Sequence, residues 1–283
     1  MTVADGATDL PAGADVPAAR SGSSPQCAPA TSGLFARCVQ DHACQYFGYP
    51  LTLLRAGCMS PADDLGLDEL HDDGFEISVF AIDQDHPLTR AAATAAATAG
   101  AGPDPEAPLA TPALGTPLLG DLRTVPLPPR SFDIVHCALL LERIAHAELV
   151  LDRFVAALKP GGLLLLRIRD SGSAAAFLDR VMPGVARRFI WRRLRPGEPG
   201  PFPAVYEPLA SAPGIQSYAL RRGLVIAQRE ALRTLPRGPD RLSRGLAAAQ
   251  ALVSRLTRGR LTDSRDELLY VIRKPENRFA RVV

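Results

Sequence analysis

The chain has 283 residues, of which 47% are hydrophobic, with a mean hydropathy of +0.04 and a formal net charge of +2, the profile of a soluble globular protein with one large domain and appendages or two small domains. No apolar run approaches the roughly 18 to 20 residues that span a bilayer, and residues 1–15 show neither a basic start nor an apolar signal core, so a cytoplasmic protein without a membrane span is expected. Five cysteines (Cys27, Cys38, Cys44, Cys58 and Cys137) are odd in number and contain no C-x-x-C pair, which argues against a disulfide framework or zinc knuckle and predicts free thiols with no metal site.

Residues 1–32 are rich in Ala, Gly, Pro, Ser and Asp and hold almost no large apolar side chain, so a disordered tail is predicted. Leu34, Phe35, Val39, Cys44 and Phe47 then mark an entry helix that Gly48 and Pro50 end. Strands are expected at 51–56 and 77–82, with a helix between them carrying Leu65, Leu67 and Leu70. Residues 87–99 are alanine-rich and helical in composition, 100–112 read as an inserted Pro/Gly/Ala loop, and a third strand ends near Leu119.

The stretch 131–170 carries the strongest pattern. Residues 132–137 form an apolar run suited to a buried parallel strand, and Ala147, Val150, Leu151, Phe154, Val155 and Leu158 fall on one helical stripe. Lys159 suits a helix C-terminus, Pro160 stops the helix, and Gly161 and Gly162 supply a turn into the uninterrupted strand 163–168. Two strands joined through a helix in this way lie parallel. Beyond Asp170 a helix is expected at 174–181, closing strands at 224–228 and 268–272, and an inserted helix at 242–256. Alternating strands and helices argue for a doubly wound α/β sheet whose ligand crevice lies at the strand C-termini.

The F-D-x-V strand at Phe132 and the Leu158-Lys159-Pro160-Gly161-Gly162 turn resemble class I S-adenosylmethionine-dependent methyltransferases of the type 11 kind. The resemblance covers residues 34–170 well and the rest loosely. It implies a Rossmann-like, seven-stranded, mostly parallel sheet with helices on both faces and an antiparallel C-terminal edge strand. It also implies a single domain at 33–283, with a core at 50–170, a substrate lid at 171–223, and closing strands at 224–283. S-adenosyl-L-methionine would be the cofactor.

By that resemblance Gly57 and Cys58 stand in the first cofactor loop, where the family has an acid followed by G-x-G-x-G. Only Gly57 matches, while Met59 and Pro61 depart from the pattern and Arg55 reverses the sign of the acid that holds the cofactor's amino group. Two like charges about 5 Å apart repel by roughly 3 kcal/mol at an effective dielectric of 20. The cofactor's carboxylate could pair with Arg55 instead, or Arg55 could turn away to neutralise Asp83 or Asp85. Asp83, with Asp85 as its competitor, matches the acid that accepts from both ribose hydroxyls. Gly120, Asp121 and Leu122 resemble the adenine-binding G-D segment, a simple Asx turn being the alternative. Cys137 would line the pocket. His136 is a weak candidate general base, set against a buried core histidine. Glu142 replaces a frequent family histidine, and either pairs with Arg143 or caps the following turn.

The lid segment carries Trp191, Arg192, Phe202 and Tyr206, which suit a flat or anionic acceptor, packing on the sheet with solvated arginines, or a basic helix on a membrane surface. Residues 1–121 hold 16 acids and 4 bases, against 14 and 28 in 122–283, a polarity that steers anions without requiring nucleic acid. Methylation of an unidentified small-molecule acceptor by in-line displacement is the expected activity. The alternatives are an inert methyltransferase-like binding partner and a nicotinamide oxidoreductase, the latter lacking its G-x-G-x-x-G turn. Oligomeric state is not legible.

Overall fold

The computed structural model describes residues 33–46, 48–57, 65–99, 117–194, 200–233 and 241–276. The expected N-terminal tail, the loop at 100–112, Phe47 and Cys58 lie outside these residues. The element order is α1 (Leu34–Gln45), β1 (Leu51–Ala56), α2 (Leu67–Asp72), β2 (Ile77–Gln84), α3 (Pro87–Ala99), β3 (Leu118–Gly120), β4 (Phe132–Ala138), α4 (Ala147–Ala157), β5 (Leu158–Arg169), α5 (Ala174–Val181), α6 (Gly184–Leu194), α7 (Ala212–Arg221), β6 (Val225–Leu232), α8 (Arg241–Leu256) and β7 (Glu267–Arg273).

Seven strands form one sheet in the order β3-β2-β1-β4-β5-β7-β6. The first five are parallel, and β7 runs antiparallel between β5 and the mostly exposed edge strand β6. Alternate side chains of the inner strands feed two cores. One sets Leu54, Val135, Cys137, Leu164, Leu166 and Tyr270 against Val150, Leu151 and Phe154 of α4 and Ile215 and Tyr218 of α7. The other sets Leu53, Ile134, Leu165 and Val271 against Leu34, Phe35 and Val39 of α1 and Leu70 of α2. Strands buried on both faces read as continuous apolar runs, which is why 132–137 and 163–168 stood out.

Three local expectations are corrected. The glycine pair at 161–162 is an irregularity within β5, because Leu158 already pairs with Phe132 and the register shifts between Phe132 and Ile134. Gly161, at φ 82°, donates to the Lys274 carbonyl, and a Cβ on Gly162 would lie 2.7 Å from the Asp133 carbonyl oxygen. Lys159 does not cap α4; its ammonium binds the Asp133 carboxylate at 2.8 Å, while Lys274 donates to the Val155 and Leu158 carbonyls at 2.6 and 2.7 Å. Cys44 is disulfide-bonded, whereas Cys38 and Cys137 are free as expected.

Helix α7 was not expected, and a helix at α6 was only one of three readings of the lid segment. Ser211 caps α7 by accepting from the Gly214 amide at 3.1 Å, with proline in the first turn, a start signal that the residues carry openly.

Candidate active site

The strand order reverses between β1 and β4, and the loops leaving the C-terminal ends of β1, β2 and β4 meet there. Gly57 ends β1 at φ 78°, and a Cβ on it would lie 2.3 Å from the Ala138 carbonyl oxygen. Glycine is thus required by the crossing of two backbones. Its amide donates to the Ile82 carbonyl at 3.1 Å, which fixes the turn beside the end of β2.

Asp83 is fully buried near the end of β2. Its Oδ1 accepts from the Gln84 amide at 2.7 Å and from Arg143 Nη2 at 2.6 Å. Asp85, its competitor from the sequence, instead forms an exposed pair with Arg90. Arg55 keeps a buried Nε without a hydrogen-bond partner.

Gly120 closes against Val125, and Asp121 forms the Asx turn offered as the alternative, accepting from the Arg123 amide and gripping its guanidinium. That hydrogen bonding holds the Asp121 carboxyl below its usual range. The Leu122 side chain is in the core, and its amide donates to Gln84 Oε1 at 3.3 Å.

The turn after β4 links two half-sites. Leu139 adopts φ 48°, a conformation uncommon for a side-chain-bearing residue, with its amide tied to the Arg167 carbonyl. Glu142 and Arg143 follow, both buried. They do not pair as one reading of the sequence had it. Arg143 reaches Asp83, whereas Glu142 Oε2 has no hydrogen-bond partner. Burial pushes the Glu142 carboxyl up to about 7 against the opposing pull of Arg169.

Residues 200–207 cross this turn as a strap. The Glu142 carbonyl accepts from the amides of Val205 and Tyr206 at 2.9 and 3.0 Å, which holds Tyr206 at φ 46°. Glu207 accepts from the His146 and Ala147 amides at the start of α4. The Phe202 ring lies 4.2 Å from the Arg143 guanidinium, and Arg187 holds the Phe202 carbonyl at 2.5 Å.

Beyond the strap, at the C-terminal end of β5 and the start of β7, opens a cavity. Leu178, Met182, Ile190, Trp191 and Leu246 give it apolar walls, and Arg169, Asp179, Tyr206 and Glu267 give it a polar floor. Asp179 binds Arg187 at 2.6 Å and accepts from the Tyr206 hydroxyl at 3.0 Å. Burial works against the Arg169 cation, but Tyr206, Glu142, Glu267 and Asp179 more than offset it and raise its pKa. Burial likewise raises the Tyr206 phenol.

Trp191, Phe202 and Tyr206 therefore gather along the strap and cavity, while Arg192 is exposed and does not line the cavity; Arg187, earlier on the same helix, does. Cys137 is also corrected. Its side chain packs wholly within the core, and burial raises the thiol. His136 is 1% exposed, with its ring edge-on to Phe35 of α1 at 5.6 Å, the core position named as its alternative. Sequence reasoning missed Asp179, Arg169 and Arg143, whose only signal was an acid or arginine within otherwise ordinary helical or strand patterns. Among the described residues no cluster could hold a metal ion, and no helix is long and apolar enough to cross a membrane.

Residues 58–166 match the family model of a methyltransferase domain. No curated protein matches the chain. Among solved structures, an S-adenosylmethionine-dependent methyltransferase from Mesorhizobium loti is 19% identical over 79% of this chain and 91% of its own, with a TM-score of 0.42. Another, from Methanosarcina mazei, is 14% identical over 82% and 96%, with a TM-score of 0.46. The [4+2]-cyclase SpnF is 16% identical over 85% and 81%, with a TM-score of 0.44. These are likenesses of outline.

The cofactor of the matched family is S-adenosylmethionine. Asp83 at the end of β2 could hold such a group, and it is paired with Arg143, whose Nε and Nη1 are buried without a hydrogen-bond partner. The segment at 58–166 is thus similar to a methyltransferase domain, within a seven-stranded sheet of order β3-β2-β1-β4-β5-β7-β6.

Proposed function

We propose that the protein methylates a small, largely apolar acceptor seated in the cavity at the ends of β5 and β7. The observation that carries this reading is the placement of that cavity beside the turn after β4, whose other side holds Asp83. When bound, S-adenosylmethionine supplies an electrophilic methyl group on a sulfonium. The chain's own part is alignment, since a nucleophilic acceptor held in line needs little further help.

Trp191, Met182, Ile190 and Leu246 would hold a flat or hydrophobic body and exclude water, while Arg169 and the Tyr206–Asp179 pair would orient a polar edge. The Arg187–Asp179 pair ties α6 to α5 and, through the Phe202 carbonyl, to the strap. Asp83, Gly57 and the backbone at Gly120 and Leu122 would serve the cofactor. Asp121, which is partly exposed and held by Arg123, would need to release that arginine to accept from the adenine amino group.

The test is isothermal titration calorimetry with S-adenosylmethionine and S-adenosylhomocysteine, repeated on Asp83→Ala. Binding lost in the variant supports the reading and leads to an acceptor screen, followed by the fluorescence of Trp191, the chain's single tryptophan. A second reading, an inert methyltransferase-like binding protein, draws on one observation, the occupation of Asp83 by Arg143. Absence of heat with either ligand would favour it.

A further inference from the structure

Helices α6 and α8 both wall the cavity, and both turn an apolar and basic face outward. Arg187, Ile190 and Trp191 of α6, with Leu246 and Gln250 of α8, line the cavity. At 3.6 residues per turn, the opposite side of α6 carries Val185, Phe189 and Arg192 on one stripe, with Arg188 and Arg193 on its two flanks. All five are exposed, Val185 at 84% and Phe189 at 65%. The outward side of α8 repeats this composition, with Leu252 and Leu256 exposed at 56% and 74% beside the exposed Arg241 and Arg255. Neither helix contains an acid. Single exposed apolar side chains are ordinary, but pairs one turn apart, framed by cations on two neighbouring helices, mark a contact surface. Two kinds of partner suit only half of it. A nucleic-acid backbone would reward the arginines and leave Val185, Phe189 and the two leucines in water. An apolar protein surface would cover those side chains but strip water from cations it cannot pair. A layer of anionic headgroups over acyl chains satisfies both, because the apolar side chains enter the boundary while the guanidiniums hold phosphates.

We infer that the outward faces of α6 and α8 seat the protein on an anionic lipid surface, both helices lying in the headgroup layer with the cavity behind them. At 11 and 16 residues the helices are too short to span a bilayer, so the contact is with one leaflet. The excess of bases over acids in residues 122–283 adds a longer-range attraction to the same surface. This contact goes beyond methylation and does not depend on it.

The experiment is co-sedimentation of the full chain with vesicles of phosphatidylcholine alone, and of phosphatidylcholine and phosphatidylglycerol in equal parts, at low and high salt. It is run on the native protein and on three double variants: Val185→Ser with Phe189→Ser, Leu252→Ser with Leu256→Ser, and Arg192→Gln with Arg193→Gln. Every side chain replaced is exposed, so urea unfolding of the variants should match the native protein and separate lost contact from lost folding. The native protein should bind the anionic vesicles at least about tenfold more tightly than the neutral ones, less so as salt is added. Each double variant should weaken that binding by about tenfold or more. Equal binding to the two vesicles, binding to neither, or native affinity kept by any of the three variants would each overturn the inference. A single-stranded oligonucleotide that displaces the vesicles, and whose own binding survives the serine changes, would identify a nucleic-acid surface and overturn it. Dimerisation without lipid that the serine changes abolish would identify a second copy of the chain as the partner and overturn it as well.

Discussion

Replacing Glu142 with Gln tests the electrostatics of the turn after β4. Burial raises this carboxyl from 4.5 to about 7, so in the folded protein its proton is held more tightly than in the unfolded chain. The stabilisation this gives is complete below the unfolded pKa and is lost as pH rises through about 7. The difference between those two pKa values corresponds to about 3 kcal/mol, an upper value that water entering under the strap would reduce. Glutamine has nothing to ionise. Relative to the native protein, Glu142→Gln should therefore gain about 1 to 3 kcal/mol of stability between pH 4.5 and pH 8. Urea unfolding of both proteins across that range measures it. His42 is buried and lowered to about 4, which makes stability rise with pH as that histidine loses its proton, but it is common to both proteins and cancels in the difference. A stability difference between the two proteins that stays flat with pH, or moves the other way, would refute the argument.

Gly57→Ala places a Cβ 2.3 Å from the Ala138 carbonyl at a positive φ, and should cost at least about 2 kcal/mol in urea unfolding, with loss of any cofactor binding. Phe154→Ala empties a fully buried position between α4 and the sheet, and should lower stability by about 3 to 5 kcal/mol with the midpoint shifted and the slope retained. Lys274→Met removes both donors from the carbonyls at the end of α4, and should cost about 1 to 2 kcal/mol, read by hydrogen exchange as faster opening of residues 154–158. Retention of native protection there would show that solvent satisfies those carbonyls equally well.

The local patterns of the chain specified most of its strands and helices. Apolar runs at 51–56, 132–137 and 163–168 are strands buried on both faces, and the stripe from Ala147 through Phe154 covers one of those faces. The position of Asp83 at the end of β2, and of Gly57 at the end of β1, followed from the same patterns, because strand ends are marked by composition and turn chemistry. Pairings between distant residues were decided by tertiary structure alone. Nothing near Arg143 in sequence says that it reaches Asp83, 60 positions away, or that Lys274 caps a helix 116 positions before it. Cys137 and His136 alternate along one apolar strand, so sequence offers both for a pocket, and only the helices packed on each face send one against α4 and the other against α1. The cavity likewise exists because α5, α6 and α8 converge over the ends of β5 and β7, a convergence set by side-chain packing across the chain rather than by any local run.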